Sequence, residues 1–251
     1  MSRVVRRHFE VKETAVAICS EERYIRIAEE AIFEARRAVE LKIVQDPFFG
    51  ITYDPYPPSK DEHPLVAGMC RASVSAGVGP MAAVAGAISE YAVSAMASNG
   101  AEYAVVDNGG DIAFLNDRPL RVGLFAGSGS PHVCAVVEPS DRIRGICSSS
   151  GEIGPSVSFG RSRICTVMCG DAALADACAT LFGNLVTGED AVGPASERVC
   201  GIPGVVWCLT FCGDAVASCG RLPPIVPCMA DESLITGITA ADIPGVRRQY
   251  S

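Results

Sequence analysis

Histidine and aromatic side chains are scarce in this chain of 251 residues. Only His8, His63 and His132 occur, and aromatics make up 6%. None of the three stands in an HExxH pair or beside a nucleophile elbow, which excludes the familiar zinc-protease and serine-hydrolase signatures. Neither GxxxxGK[ST] nor a strand-anchored GxGxxG occurs, so ordinary P-loop and dinucleotide folds are disfavoured. Charge is sparse too, at 20% of residues with a net charge of −8. Lysine and arginine are scattered apart from the Arg3–Arg7 and Arg247–Arg248 clusters, which argues against nucleic acid as a partner. No charged-then-apolar leader opens the sequence, and no run supplies the roughly 20 strongly apolar residues of a spanning helix. The expectation is a cytoplasmic protein without a membrane partner.

Cysteine is abundant, at twelve residues, yet no CxxC pair occurs. The tightest spacings, Cys165/Cys169 and Cys208/Cys212, lie in apolar runs. Residues four apart share a strand face, so these read as small core hydrophobes and persistent thiols. A cysteine-based metal or redox site built from Cys200, Cys208, Cys212, Cys219 and Cys228 stays open as an alternative.

The length suits one domain over residues 1–251. Residues 4–19 read as two strands, and a helix follows from an N-cap at Ser20, with Ile25, Ala28, Ile32, Ala35 and Val39 at helical spacing. Five prolines make residues 46–64 a long loop. Its aromatic residues Phe48, Phe49, Tyr53 and Tyr56 either wall a pocket or pin the loop, with pinning favoured. The run Val66–Gly100, interrupted by Arg71 and Glu90, is small and apolar and reads as a buried helix, starting at Pro80 and stopping at Asn99-Gly100. Strands are expected at 103–106, 111–115, 120–125, 133–137, 143–147, 164–169, 205–211 and 215–218. Asp171 caps one more helix, and the tail from about 223 wraps the surface. Antiparallel hairpins with helices on one side make an α+β fold.

Three segments offer chemistry. Asn108-Gly109-Gly110-Asp111 follows an apolar strand, and its glycines permit a close backbone approach by a ligand; a tight hairpin turn explains them equally well. Ser149-Ser150-Gly151 ends a strand with hydroxyls and N–H donors suited to phosphate, although such loops are common. In the run Leu174–Thr180, Asp176 and Thr180 lie four apart on one helix face, hard oxygen ligands suited to Mg²⁺. From spacing alone, a dipole-stabilised Asp176 and a Thr180 bonded to a carbonyl suffice.

Taken in order, Gly109-Gly110-Asp111-Ile112, Ser150-Gly151 and Ala175-Asp176-Ala177-Cys178-Ala179-Thr180 resemble the ApbE-type FAD:protein FMN transferases, in a shorter bacterial and archaeal branch. The likeness spans roughly residues 66–185. It implies a T-fold-like arrangement of antiparallel sheet layers with packed helices. It implies Mg²⁺ on Asp176 and Thr180, with a main-chain carbonyl near Gly77–Gly79. It also implies a flavin nucleotide, FAD or FMN, lined by Asn108, Gly109, Gly110, Asp111, Ser149, Ser150 and Gly151. The chain departs from the pattern at two places. Ala76-Gly77-Val78-Gly79-Pro80 has no lysine, and Gly154–Arg161 stands where the family has His-x-x-x-Pro-x-x-Gly. FMN transfer to an unknown acceptor protein or FAD pyrophosphate cleavage follows from the likeness. A non-catalytic nucleotide binder is the alternative. A small-molecule nucleotide is the expected partner, and a homo-oligomer is compatible with the sequence.

Overall fold

The computed structural model describes residues 3–12, 14–124, 133–150 and 162–227. The first two apolar-alternating segments pair as a hairpin of β1 (Val4–Val11) and β2 (Thr14–Glu21). Helix α1 (Glu22–Gln45) follows at once, and all five residues expected on its apolar stripe are buried. Ser20 is not its N-cap. Strand β2 continues through Ser20, whose hydroxyl donates to the Tyr103 carbonyl, and Glu21 takes the cap position.

The loop after α1 holds a 3₁₀ turn at Pro47–Gly50. Phe49 is fully buried and stacks edge-on to half-buried Tyr56, while Phe48 and Tyr53 face outward. Lys42 over these two rings bonds Glu62 at 2.7 Å, and the Tyr56 hydroxyl bonds the Asp46 carboxylate. Phe49 and Tyr56 therefore pin the loop.

The small-residue run is two helices, not one: α2 (Pro64–Ala76) and α3 (Val84–Ser98), the second preceded by a 3₁₀ turn at Pro80–Ala83. Gly77 breaks the run, ending α2 in the left-handed region at φ 74. Pro80–Ser98 passes a length-and-hydropathy test for a membrane span, but α3 packs against α1 and against the sheet.

Next come β3 (Ala104–Asn108), β4 (Asp111–Asn116), β5 (Leu120–Leu124), β6 (Val133–Val137), β7 (Ser140–Ser149) and β8 (Ile164–Cys169). Helix α4 (Ala172–Leu185) is capped by Asp171, whose Oδ1 accepts from the Leu174 N–H at 2.8 Å. A further helix, α5 (Val192–Cys200), precedes the hairpin of β9 (Val205–Cys212) and β10 (Ala215–Gly220), and β11 (Ile225–Pro227) pairs with β6. Phe125 and the tail from residue 228 lie outside the described residues.

One sheet of eight strands has the order β1-β2-β3-β4-β7-β8-β9-β10, and a second has β11-β6-β5; every pairing is antiparallel. The fold is thus α+β, as expected, with helices on one face of the large sheet and the small sheet on the other. Two cores result. Cys165, Val167, Cys169, Cys208 and Cys212 belong to the core shared with the helices. Phe114, Met168, Trp207 and Leu209 pack with Val122, Leu124 and Val137 of the small sheet. The period-two alternation of a strand sorts them. The cysteines of β8 and β9 named above are on the helix side, where a small side chain lets helices lie close. At Gly145 the approach is close: a Cβ there would stand 2.3 Å from Ala172 Cα.

Candidate functional site

Four elements meet where α3 and α4 begin. Asp176, in the second turn of α4, is buried, and its Oδ2 accepts the Gly86 N–H of α3 at 2.9 Å. The Ala85 N–H bonds the same carboxyl. Helix α3 has no side-chain cap of its own, so Asp176 supplies one from a different helix. The converse holds at α4. Glu90 of α3 accepts the Ala172 N–H at 2.6 Å and also bonds the Ala173 N–H. The two helices cap each other.

The β3–β4 hairpin enters the same region. Asn108 and Asp111 are paired across a two-residue turn whose Gly109 and Gly110 have φ of 68° and 102°, values that favour glycine. Asp107 Oδ1 accepts the Gly110 N–H at 2.9 Å. Asn108 Nδ2 reaches the Ala85 carbonyl at 3.4 Å, and Ser89 Oγ on α3 donates to the Asp111 carbonyl at 2.9 Å. A Cβ added at Gly110 would meet nothing within 4 Å, so the turn has open space beside it.

Across the next strand pair, Asp111 lies opposite Cys147 of β7, and the Cys147 thiol lies 3.5 Å from the Ala172 carbonyl. Asp111 retains some surface as a residue, yet its Oδ1 is sealed from solvent with no hydrogen-bond partner among the described residues. Burial, then Asp176, then Asp107 push its carboxyl well above the usual carboxylate range, against the pull of the Cys147 thiol and the Ser148 N–H. Burial pushes Asp176 up to about 7, although the Gly86 and Ala85 N–H groups draw it down. Burial, followed by Asp111 and Asp176, also raises Cys147. Two buried carboxyl groups thus share one interior with no basic side chain among these causes.

The structure brings together Asn108, Gly109, Gly110, Asp111 and Asp176. Thr180 is one turn further along α4 and half-buried. Ser149 is buried two residues beyond Cys147 on the same strand, past the hairpin turn, and Ser150 Oγ donates to the Arg163 carbonyl at 2.8 Å. Gly151 and the segment Gly154–Arg161 lie outside the described residues. At Gly77–Gly79 the Val78 carbonyl is taken by Ser73 Oγ, and the backbone that meets Asp176 is Ala85–Gly86. Glu90 escaped the sequence reading as a functional residue. Its signal was present, a lone carboxylate inside a small apolar run, since such groups are rarely buried without partners.

Hard oxygen donors and a carboxylate oxygen that is sealed and unpaired among the described residues fit a site for a divalent cation. Among the described residues no three Cys, His, Asp or Glu side chains gather to hold a metal by themselves. That suits Mg²⁺, which commonly takes one or two carboxylates and completes its shell from substrate phosphates and water. Among the described residues eleven cysteines are present, none in a disulfide. Of the cysteines named for a metal or redox site, Cys200, Cys208 and Cys219 lie near one another without being placed to hold a metal, and Cys228 lies outside the described residues.

Comparison with known proteins bears on the family and the fold. A family model described as "AbpE bacteria" matches residues 1–198. The UPF0280 protein of Methanothrix thermoacetophila is 45% identical over 237 residues, covering 93% of this chain and 99% of that protein. Its counterpart in Methanosphaerula palustris is 44% identical over 237 residues, covering 93% and 98%. Among solved structures, the flavin transferase ApbE from Vibrio cholerae superposes with a TM-score of 0.59 at 13% identity, covering 87% of this chain and 97% of that one. The apo flavinyl transferase ApbE of Pseudomonas stutzeri gives 0.58 at 10% identity, covering 86% and 94%. At these identities the likeness is one of fold. By its sequence match over most of its length, the chain belongs to the AbpE bacteria family and is akin to the UPF0280 proteins.

Proposed function

We propose that this protein binds a flavin nucleotide, FAD or FMN, together with Mg²⁺, and acts on the phosphate linkage of that nucleotide. The observation that carries this reading is the buried Asp176 carboxylate at the paired starts of α3 and α4, beside the open Gly109–Gly110 turn. Asp176 and Thr180 would hold the cation. Asn108, Gly109, Gly110 and Asp111 would line the nucleotide on one side, and Ser149, Ser150 and Gly151 on the other.

A bound Mg²⁺ supplies charge neutralisation for the pyrophosphate. The chain's own contribution is positioning. The mutual capping of α3 and α4 fixes the Asp176 carboxyl against the Ala85 and Gly86 N–H groups, so its orientation is set before a ligand arrives. The glycine turn lets the ligand come close to the backbone. The phosphorus on the FMN side of FAD would then be attacked in line by an acceptor hydroxyl, giving FMN transfer, or by water, giving FAD cleavage; in either case the pyrophosphate P–O bond breaks and AMP leaves.

A second reading keeps the pocket and drops the chemistry. It is favoured by the histidines: His63 Nδ1 is occupied as the cap of α2, and His8 is exposed on the edge strand β1. His132 lies outside the described residues. Native mass spectrometry with FAD, FMN and ATP, with and without Mg²⁺, tests both readings. Mg²⁺-dependent FAD binding that Asp176→Ala abolishes supports the site. Release of AMP or FMN over time separates an enzyme from a binder, and absence of any nucleotide binding rejects both.

A further inference from the structure

The resemblance to the ApbE-type transferases implies that Asp111 lines the nucleotide with the rest of its hairpin. Its position in the fold argues for another task. The turn itself is stabilised by Asp107, whose Oδ1 accepts the Gly110 N–H, so Asp111 is not needed for that bond. Its main-chain carbonyl is tied to α3 by Ser89 Oγ. Its cross-strand partner Cys147 contacts Ala172, the first residue of α4. The strand thus presents position 111 to the junction where Asp176 bonds Gly86. There Oδ1 of Asp111 is sealed from solvent and has no hydrogen-bond partner among the described residues.

An unpaired buried carboxylate oxygen costs free energy unless a proton or a cation occupies it. A hairpin could place a neutral side chain here at no loss to the turn. Asp176 is the charged neighbour that acts on Asp111 most strongly, which places the two carboxyl groups in one electrostatic pocket. Two carboxylates next to each other repel, and a divalent cation between them reverses the sign of that interaction.

We propose that Asp111 is a second carboxylate ligand of the cation site anchored by Asp176, and that its role in the nucleotide pocket is through that cation. This rests on the reading of Asp176 as a cation ligand. Holding one divalent cation with two buried carboxylates also predicts preference for small hard ions, Mg²⁺ and Mn²⁺, over Ca²⁺.

Mn²⁺ is the probe, with binding followed by electron paramagnetic resonance on the intact chain without nucleotide. The expected result is that Asp111→Asn weakens Mn²⁺ binding by at least about tenfold, as loss of a supporting group at a metal site does. Asp107→Asn, which keeps the turn bond and removes a nearby charge, should stay within about threefold, a shift of under roughly 1 kcal/mol. Asp111→Asn binding as tightly as wild type, while Asp176→Asn does not bind, overturns the proposal and leaves Asp176 as the anchor. No binding by the wild type, with FAD added as well as without it, overturns the reading of Asp176 as well. Should Asp111→Asn not fold, anomalous scattering from wild-type crystals soaked in Mn²⁺ decides. A peak about 2.1 Å from an Asp111 oxygen supports the assignment. A peak on Asp176 alone overturns it.

Discussion

A methyl group at position 86 would stand 2.2 Å from the Ala172 carbonyl oxygen and 2.9 Å from Asp176 Cβ. No rotamer relieves that contact, because the nearest obstacle is backbone. Gly86→Ala should therefore destabilise the protein by about 1–3 kcal/mol, the usual range for overpacking. A urea denaturation midpoint unchanged from wild type would show that α3 and α4 are not in contact as described. The same variant should weaken any nucleotide binding, since it displaces the N–H that orients Asp176. A residue's local duties were legible in the sequence: the Asp171 cap and the Asn-Gly-Gly-Asp turn depend on neighbours a few positions away. Asp111 was legible as a turn residue only. Its proximity to Asp176, across 65 positions, is tertiary and leaves no mark in local spacing.

Reciprocal capping is the feature of consequence among the elements. Glu90 is pushed up to about 7 by burial and then by Asp171, against the Ala172 and Ala173 N–H groups and Arg71. A glutamate in an unfolded chain titrates near about 4.3. Between these values the folded chain holds a proton that the unfolded chain has lost, so folding is favoured below about pH 4 and that advantage disappears as pH rises through about 7. Asp176 and Asp111 contribute with the same sign. The cation-free protein should accordingly show a higher urea midpoint at pH 5 than at pH 8, and Glu90→Gln should narrow the gap. An equal gap in wild type and variant would remove Glu90 from the account. A second element, the loop over residues 46–64, is held by Lys42 and Glu62, whose side chains are 12% and 9% exposed. Glu62→Gln leaves a buried ammonium without its counter-ion and should cost about 3 kcal/mol. Limited proteolysis should then cut this loop faster, and wild-type cleavage rates would argue against the pinning role. Element boundaries were less legible than element types. Gly77-Val78-Gly79-Pro80 carries the stop that divides α2 from α3, but the apolar character on both sides masks it. Helix α5 was missed because Gly193 and Pro194 open it, although Val192, Ala195, Ser196 and Val199 are buried at helical spacing.

Across the whole molecule, the large sheet separates a helix-side core from a second core under the small sheet. The antiparallel α+β character was legible from the alternating runs. The division into eight and three strands was not, because fully buried β8 shows no polar face to indicate which neighbour covers which side. Trp207, the only tryptophan, is 1% exposed in the second core and donates its indole N–H to the Met168 sulfur at 3.0 Å. Its fluorescence therefore reports that core, while far-ultraviolet circular dichroism is dominated by the helices. Phe114→Ala should cost about 3–5 kcal/mol by opening a cavity beside it. The two signals should still move together on denaturation, since β4, β7, β8 and β9 serve both cores; separated transitions would reveal two cooperative units. Synthesis adds a temporal consequence of the mutual caps. The bonds Gly86–Asp176 and Ala172–Glu90 span 90 and 82 positions. At roughly 5–20 residues per second, α3 emerges from the ribosome and waits about 4–18 s for the carboxylate that completes it. During that interval its N-terminal amide groups lack the carboxylate that caps them, and the part of its surface that α4 covers has no partner. A nascent chain halted before Asp176 should therefore be a strong client for chaperones that hold exposed apolar helices.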